Sequence, residues 1–463
     1  MIKTVCCIGA GYVGGPTMAV FADKCTDIIF NVVDVNEDRI AAWNDNDLSK
    51  LPIFEPGLDQ IIERRRGRNL IFSTEVHKHI SEADMIFISV NTPTKTKGIG
   101  AGQASDLKWV ESCAREISNH GRGHTIVVEK STLPVRTGEV IKDILDSSQS
   151  CNKENKKTTF DILSNPEFLA EGSAISDLED PDRILIGGSN KKAINALHNL
   201  YKRWVSEDKI IHTNLWSSEL SKLSANAFLA QRVSSINSIS ALCEATGADI
   251  GEVARAIGKD SRIGVKFLNS GPGFGGSCFK KDIMNLIYIC NHYGLSEVSK
   301  YWEKVIEINS WQTKRISKLV VDKLFGTLSN KKIGILGFSY KSNTNDTRES
   351  PAIRICNDLL DEGAILQIYD PKVSKEQITK DLINENLTKG SWNFFNSIEE
   401  ASFGSDALLI LTEWEEFSEI NWELIANKMR SPSWVFDTRL ISNVSESIKY
   451  GIKLWTVGKG EII

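Results

Sequence analysis

The chain lacks any apolar run of the ~20 residues that a membrane helix needs, so no membrane partner is expected. It also lacks a dominant charge sign. Its 55 Lys and Arg against 60 Asp and Glu give a net charge of -5, both signs dispersed, with no basic stripe for nucleic acid and no polybasic run for a lipid surface. The seven histidines show no Cys/His ligand spacing, so no metal is expected. Nine cysteines, odd in number and irregularly placed, lay out no disulfide frame. Met1 runs into a strand with no charged n-region or cleavage site, and a cytoplasmic location is the expectation. What is present is an ordinary globular composition, 41% hydrophobic and 25% charged over 463 residues. At ~150 residues per domain that length suggests about three domains, and the dispersed charge leaves a small diffusible ligand as the expected partner.

Alternation of strands and helices organises the chain. Residues 3–8 read as a buried strand, Gly9-Ala10-Gly11-Tyr12-Val13-Gly14 as a turn into a helix, and 30–34 as the next strand. Further strands are expected at 84–90, 124–129 and 160–163, giving a doubly wound parallel sheet to about residue 214. From 216 to 247 and from 297 to 325 apolar residues recur at helical spacing. The opening pattern then returns: a strand at 332–337, a helix at 351–363, and strands at 364–370, 407–411 and 434–437. The expected fold is therefore α/β, with two Rossmann-like doubly wound domains, 1–214 and 328–463, joined by a central helical domain, 215–327. Gly337-Phe338-Ser339-Tyr340 lacks the later glycines of the first turn, so the second half is not expected to take a dinucleotide in the same way. Two polar segments, 94–105 and 147–157, are expected to be mobile loops.

Gly9-x-Gly11-x-x-Gly14, after a strand and before a helix, is a dinucleotide fingerprint in its required context. Gly9 permits the turn, Gly11 lets the backbone approach a pyrophosphate, and Gly14 allows close helix packing. Asp34, twenty residues on, can accept from a ribose 2'-hydroxyl and repels a 2'-phosphate, which favours NAD. Arg39 could instead receive that phosphate or pack over the adenine. Much later stands Gly273-Phe274-Gly275-Gly276-Ser277-Cys278-Phe279-Lys280-Lys281-Asp282. A lone cysteine is often inert core. These flanking glycines and charges are poor core material, and the segment suits a covalent nucleophile.

With these features in place the chain resembles the nucleotide-sugar 6-dehydrogenases, the UDP-glucose/GDP-mannose dehydrogenase family. The resemblance spans nearly the whole chain: the glycine fingerprint, Val90-Asn91-Thr92-Pro93-Thr94, Glu129-Lys130-Ser131-Thr132, Asn165-Pro166-Glu167-Phe168-Leu169-Ala170-Glu171-Gly172, Glu219 to Ala227, the Cys278 run, and Asp346-Thr347-Arg348-Glu349-Ser350. It implies four-electron oxidation of a sugar C6 alcohol to a carboxylate with two NAD, through a thiohemiacetal and a thioester on Cys278. UDP-glucose is the implied substrate, with GDP-mannose or a UDP-N-acetylhexosamine as sister substrates and a silent NAD-binding regulator as the remaining alternative.

The resemblance also implies site roles. Lys222 and Asn226, i and i+4 on a helix, would meet the C6 oxygen, although alone they could equally be an exposed face. Asp282 would handle a water or pair with Lys222 or Lys281. Glu167 would serve thioester hydrolysis, Thr132 the water or nicotinamide, and Glu171, also i+4, a substrate or cofactor contact or merely a carboxylate at a helix N-terminus. Tyr12, Val13, Val90, Thr92, Lys281 and Arg348 match cofactor contacts. Phe168, Leu169, Phe267, Leu268, Asn269, Gly273, Phe274, Gly275 and Phe279 match the sugar and uracil lining. Lys341 and Arg439 match contacts to the nucleotide sugar, and Arg262 an arginine that reaches a neighbouring subunit's substrate. Self-association as a homodimer or homohexamer follows from that last match and from the broad apolar central helices.

Overall fold

The computed structural model describes residues 2–148, 158–382, 389–441 and 443–462. Most of the expected 147–157 loop lies outside these. Two compact units emerge, one made of residues 1–225 with 284–293, the other of 226–283 with 294–463.

The first unit is built on an eight-stranded sheet: β1 (Thr4–Ile8), β2 (Ile29–Val33), β3 (Leu70–Ser73), β4 (Met85–Ile88), β5 (His124–Glu129), β6 (Thr159–Ser164), β7 (Ile184–Gly188) and β8 (Ile210–Thr213). Their order is β3-β2-β1-β4-β5-β6-β7-β8. Val5 and Cys7 of β1 enter one apolar cluster with Phe21, Phe30 and Trp43, while Cys6 and Ile8 enter another with Ile86, Ile88 and Ile117. Both faces are thus covered, which is why the strand reads as an unbroken apolar run. The strand order reverses between β1 and β4, and such a switch point opens a crevice at the strands' carboxyl ends.

The sheet departs from the expected all-parallel pattern at one place: β6 and β7 pair antiparallel. A strand buried on both faces has the same apolar sequence in either direction, so its sense could not be read beforehand. The 94–105 loop differs too. Thr94 bridges Ser105, Lys95 N donates to Ala104 O at 2.8 Å, and Gly102 N donates to Lys95 O at 2.8 Å. The segment is tied by its own backbone.

The second unit carries a seven-stranded sheet of β9 (Lys332–Leu336), β10 (Ile365–Tyr369), β11 (Ser391–Phe394), β12 (Ala407–Ile410), β13 (Trp434–Asp437), β14 (Lys453–Thr456) and β15 (Gly460–Ile462), ordered β11-β10-β9-β12-β13-β14-β15. Only β14–β15 is antiparallel among its described pairs. The two central helical patterns become helices Leu215–Thr246 and Ser296–Lys323. Among the described residues no helix is long and apolar enough to cross a membrane.

Candidate active site

The glycine turn of the first unit has the form a dinucleotide requires. Gly9 sits at φ +110°, and a Cβ there would lie 2.3 Å from Ser89 O; one on Gly14 would lie 2.0 Å from Gly9 O. Both glycines are fixed by neighbouring backbone. Gly11 has nothing within 4 Å of a built Cβ, so its bareness serves space outside the chain. Tyr12 and Val13 follow, half-buried, into the helix Gly14–Lys24. Asp34, just past the end of β2, accepts from Ala10 N at 3.0 Å and pairs with Arg39 Nη1 at 2.9 Å. Trp43, which sequence reasoning missed, fastens the turn from below: its Nε1 donates to Ala10 O at 3.0 Å. These residues fit a dinucleotide with a free ribose 2'-hydroxyl.

A second group in the same unit gathers around Glu167. This carboxylate is 7% exposed. Its Oε2 lies 3.2 Å from Lys222 Nζ and accepts from Leu169 N at 3.2 Å, while Thr132 Oγ1 approaches Oε1 at 3.4 Å. Lys222 also lies over the Phe168 ring, as does Arg183. Thr92 Oγ1 donates to Thr132 O at 3.0 Å, and Ser131 Oγ to Val90 O at 2.7 Å, so the Val90–Thr92 and Ser131–Thr132 segments are laced together. Lys222 is 4% exposed and Asn226 6%, which removes the exposed-face reading of this helix turn.

Glu171 does not share a helical face with Glu167. Residues 165–173 contain no helix, and the next one begins at Ala174. Pro166 disfavours helix before itself, and Gly172, at φ +83°, turns the chain. A further residue missed from sequence holds this loop: Glu55, buried, accepts from Gly172 N at 2.8 Å and Ala174 N at 3.0 Å.

Behind this group sit unusual ionisable residues. Lys130 donates to Asn165 Oδ1 at 3.2 Å and to Tyr201 OH at 3.3 Å, and burial lowers its pKa to about 8. Burial and the neighbouring Glu219 hold the Glu129 carboxyl well above the usual range. Glu219 in turn accepts from Arg136 N at 2.6 Å and Gly138 N at 2.8 Å.

In the second unit Cys278 immediately precedes the helix Phe279–His292; Asp282 N donates to its carbonyl at 2.9 Å. Its thiol is half-buried, 3.5 Å from Ser277 Oγ, whereas the other described cysteines are all buried. A helix N-terminus favours an anion placed there. Asp282, one turn in and 1% exposed, accepts from Asn226 Nδ2 at 2.6 Å. Lys281 is half-buried in the first turn, and Lys280 points to Glu349 at 2.8 Å.

The glycine run is held by three polar side chains on one face of the helix Ser296–Lys323, which the apolar pattern concealed. Asn309 bonds both N and O of Phe274, Gln312 Nε2 donates to Gly271 O at 2.8 Å, and Thr313 Oγ1 to Pro272 O at 2.8 Å. Gly275 is pressed on the next loop; a Cβ there would meet Glu349 O at 2.6 Å. Phe279 packs on Phe274 and Phe267 at 5.8 and 6.4 Å between ring centres.

Arg262 is exposed and paired with Asp260 at 2.6 Å. Its loop is clamped by Arg232, whose guanidinium donates to the carbonyls of Ile263, Gly264 and Lys266, each at 2.9 Å. Phe267 has φ +63°, a strained conformation for an aromatic residue. Leu268 and Asn269 line a cavity of about 440 Å³ with Arg255, Leu440 and Lys459, a size suited to a small ligand. Arg439 spans Leu411 O, Tyr340 O and Glu413, which brings it beside the Lys341 loop. Arg348 is bound to Asp346 at 2.6 Å.

Two Rossmann-like units, one with an open glycine cradle and the other with a half-buried thiol at a helix start, define a nicotinamide-dependent dehydrogenase with a cysteine. The chain belongs to the UDP-glucose/GDP-mannose dehydrogenase family: residues 3–205 match its NAD binding domain, 216–311 its central domain and 334–444 its UDP binding domain. It is 53% identical to the UDP-glucose 6-dehydrogenase of Gallus gallus, across 99% of this chain and 93% of that one. To UDP-glucose 6-dehydrogenase 5 of Oryza sativa subsp. japonica it is 52% identical, covering 99% and 97%. A solved UDP-glucose dehydrogenase from the archaeon Pyrobaculum islandicum superposes with TM-score 0.83 at 28% identity, covering 96% of each chain.

Proposed function

We propose that the chain oxidises the C6 alcohol of UDP-glucose to the carboxylate of UDP-glucuronate. The observation that carries this reading is identity of 52–53% over 99% of the chain to UDP-glucose 6-dehydrogenases from a plant and a bird. NAD, when bound, accepts one hydride in each of two oxidations. The chain's residues do the rest. Lys222 and Asn226 offer donors to the C6 oxygen as charge develops on it. The Cys278 thiolate adds to the aldehyde carbon, giving a thiohemiacetal; loss of the second hydride leaves a thioester, and water releases the acid and regenerates the thiol. Glu167, held by Lys222 and Thr132, accepts the proton of that water, and Asp282 orients groups at the thiol through Asn226.

The remaining assignments rest on the same reading. Residues 1–214 form the NAD domain, 215–327 the central helical domain and 328–463 the UDP-sugar domain. Gly9, Gly11, Gly14, Asp34, Arg39, Thr92, Lys281 and Arg348 contact cofactor; Phe267, Leu268, Asn269, Lys341 and Arg439 contact substrate. Trp216, Leu220, Phe228, Ile239 and Leu242 leave large apolar surface exposed along one helix, which supports self-association as a homodimer or homohexamer, with Arg262 crossing to a neighbour. The eight described free cysteines support a reducing, cytoplasmic setting.

The test is stoichiometry and trapping. Two NADH per UDP-glucose are expected, with UDP-glucose preferred over GDP-mannose and UDP-N-acetylhexosamines in parallel assays. Glu167→Gln should accumulate a glucuronyl nucleotide on the Cys278 peptide, seen by mass spectrometry of quenched enzyme. One NADH per sugar, or a normal overall rate in Cys278→Ala, would defeat the covalent route.

A further inference from the structure

On the first unit's surface, outside every motif above, three ligand-type side chains meet. His77 lies in the helix Val76–Glu82, and Glu116 and His120 are one turn apart in the helix Lys108–His120. His77 Nε2 is 2.8 Å from Glu116 Oε2, and His120 Nε2 is 3.5 Å from the same oxygen. One ligand atom from each of the three falls within 4.8 Å of the others. The imidazoles stack, ring centres 4.0 Å apart at 13°.

The two edges to Glu116 lie close to those of a definite coordination geometry. Zinc bonds to nitrogen and carboxylate oxygen of about 2.0–2.1 Å in a tetrahedron imply ligand-to-ligand edges of roughly 3.3 Å. The two edges to Glu116, 2.8 and 3.5 Å, straddle that value; near-parallel rings 4.0 Å apart cannot both hold one ion in their planes, so binding also turns one imidazole out of the stack. Both helices are packed against each other, so the triad is brought together by the fold. Independently, His120 is the last residue of its helix, where unpaired carbonyls carry partial negative charge that attracts a cation. Two imidazoles and one carboxylate favour zinc-type ions over magnesium or calcium, which prefer all-oxygen sets.

We propose that His77, Glu116 and His120 form a surface site for a divalent transition metal of the zinc class, with a fourth position open to water, stapling the helix Val76–Glu82 to the helix Lys108–His120. Forty-three residues separate the two histidines, which is why no ligand spacing was visible in the chain.

The experiment titrates zinc into chelator-treated full-length wild type, His77→Ala, His120→Ala and Glu116→Gln by calorimetry, with cobalt as a spectroscopic probe and magnesium as control. Thiols also bind zinc, so the reading is the difference between proteins. Wild type should take up one zinc more per chain than either histidine variant, and Glu116→Gln should bind it at least tenfold more weakly. Zinc should raise the melting temperature of wild type and leave that of the histidine variants behind. Each protein is compared with its own metal-free melting temperature, which cancels the loss of the His77–Glu116 contact and of the ring stack themselves. Equal zinc stoichiometry in wild type and both histidine variants, or equal response to magnesium and zinc, would overturn the site.

Discussion

The two sheets share one strand order over five strands, β3-β2-β1-β4-β5 and β11-β10-β9-β12-β13, and even one turn geometry. Gly9 at φ +110° and Gly337 at φ +91° occupy the same point after the first strand, and each amide donates at 2.8 Å to the residue ending the neighbouring strand, Val33 or Tyr369. Beyond the turn the two units diverge. In the first unit the chain enters its helix within five residues, and Asp34 accepts from Ala10 N of the turn, from Asn36 N of its own loop and from Arg39. In the second unit Asp370 closes on its own loop: it accepts from Phe338 N at 2.7 Å, Ser339 N at 3.0 Å, Trp414 Nε1 at 3.2 Å, and Lys372 and Val373 N at 2.9 Å. The helix there starts only at Pro351, capped by Ser350. One fold thus uses the carboxylate as an internal brace tied to two turn amides and a tryptophan in the second copy, and holds it by one turn amide and an arginine in the first, where the proposed function has it meet the cofactor ribose.

The largest break of this contrast comes from glycine. Gly14→Ala puts a methyl 2.0 Å from backbone, where nothing flexible can yield, so soluble folded protein and NAD binding should both be lost. Gly11→Ala meets no atom within 4 Å, so melting temperature should hold while the NAD Michaelis constant rises tenfold or more. Equal melting losses in both variants would mean that Gly11 is structural and the cradle reading is wrong.

Next come the two aspartates. Asp370→Ala leaves several buried donors unmet and should destabilise by about 3 kcal/mol or more in denaturant titration, with cofactor preference unchanged. Asp34→Ala should cost less stability and instead relax discrimination against NADP, because the ribose acceptor is gone and Arg39, now unpaired from it, can receive a 2'-phosphate. Steady-state kinetics with both cofactors checks this. An unchanged NAD to NADP ratio in Asp34→Ala would erase the functional difference between the halves.

The glycine fingerprint, Asp34, strands β1, β2, β4, β5 and β6 and the paired long helices were legible because they rest on local rules: turn geometry, apolar period and a fixed spacing; the short edge strand β3 was not. Neither β7 nor β8 was picked out, and burial on both faces would in any case have hidden the sense of β7. Nor were Trp43, Glu55, Arg232, Asn309, Gln312 and Thr313, which act on backbone tens of residues away, as far as 119 for Glu55, and look like ordinary helix or loop residues in sequence. Lys222 shows the same boundary. Its spacing to Asn226 was readable, but its burial beside Glu167, 55 residues away, came only with the fold.

The subtlest difference lies at the carboxyl end of the fifth strand in each order, where both units bury an ionisable group of opposite type. After β5 burial pushes Lys130 down to about 8; at the end of β13 burial raises Asp437 to about 6, against the amides of Arg439 and Ile441 that it accepts from. The signs of the two linkages are opposite in pH. Between about 8 and an ordinary lysine value near 10.4 the unfolded chain holds a proton that folded Lys130 has released, so stability grows as pH rises through that window. Between an ordinary aspartate value near 3.9 and about 6 folded Asp437 holds a proton that the unfolded chain has lost, so its contribution disappears as pH rises through that window. One group can tilt stability by at most about 1.4 kcal/mol per pH unit. Denaturant titrations from about pH 4 to 10, taken as variant minus wild type to cancel every other titrating group, should show Lys130→Met flattening only the alkaline rise and Asp437→Asn only the acidic fall. If Lys130→Met kept the wild-type slope between about pH 8 and 10, the lysine would be titrating as an exposed amine. The opposed burial of charge at the two equivalent strand ends would then be no property of the folded molecule.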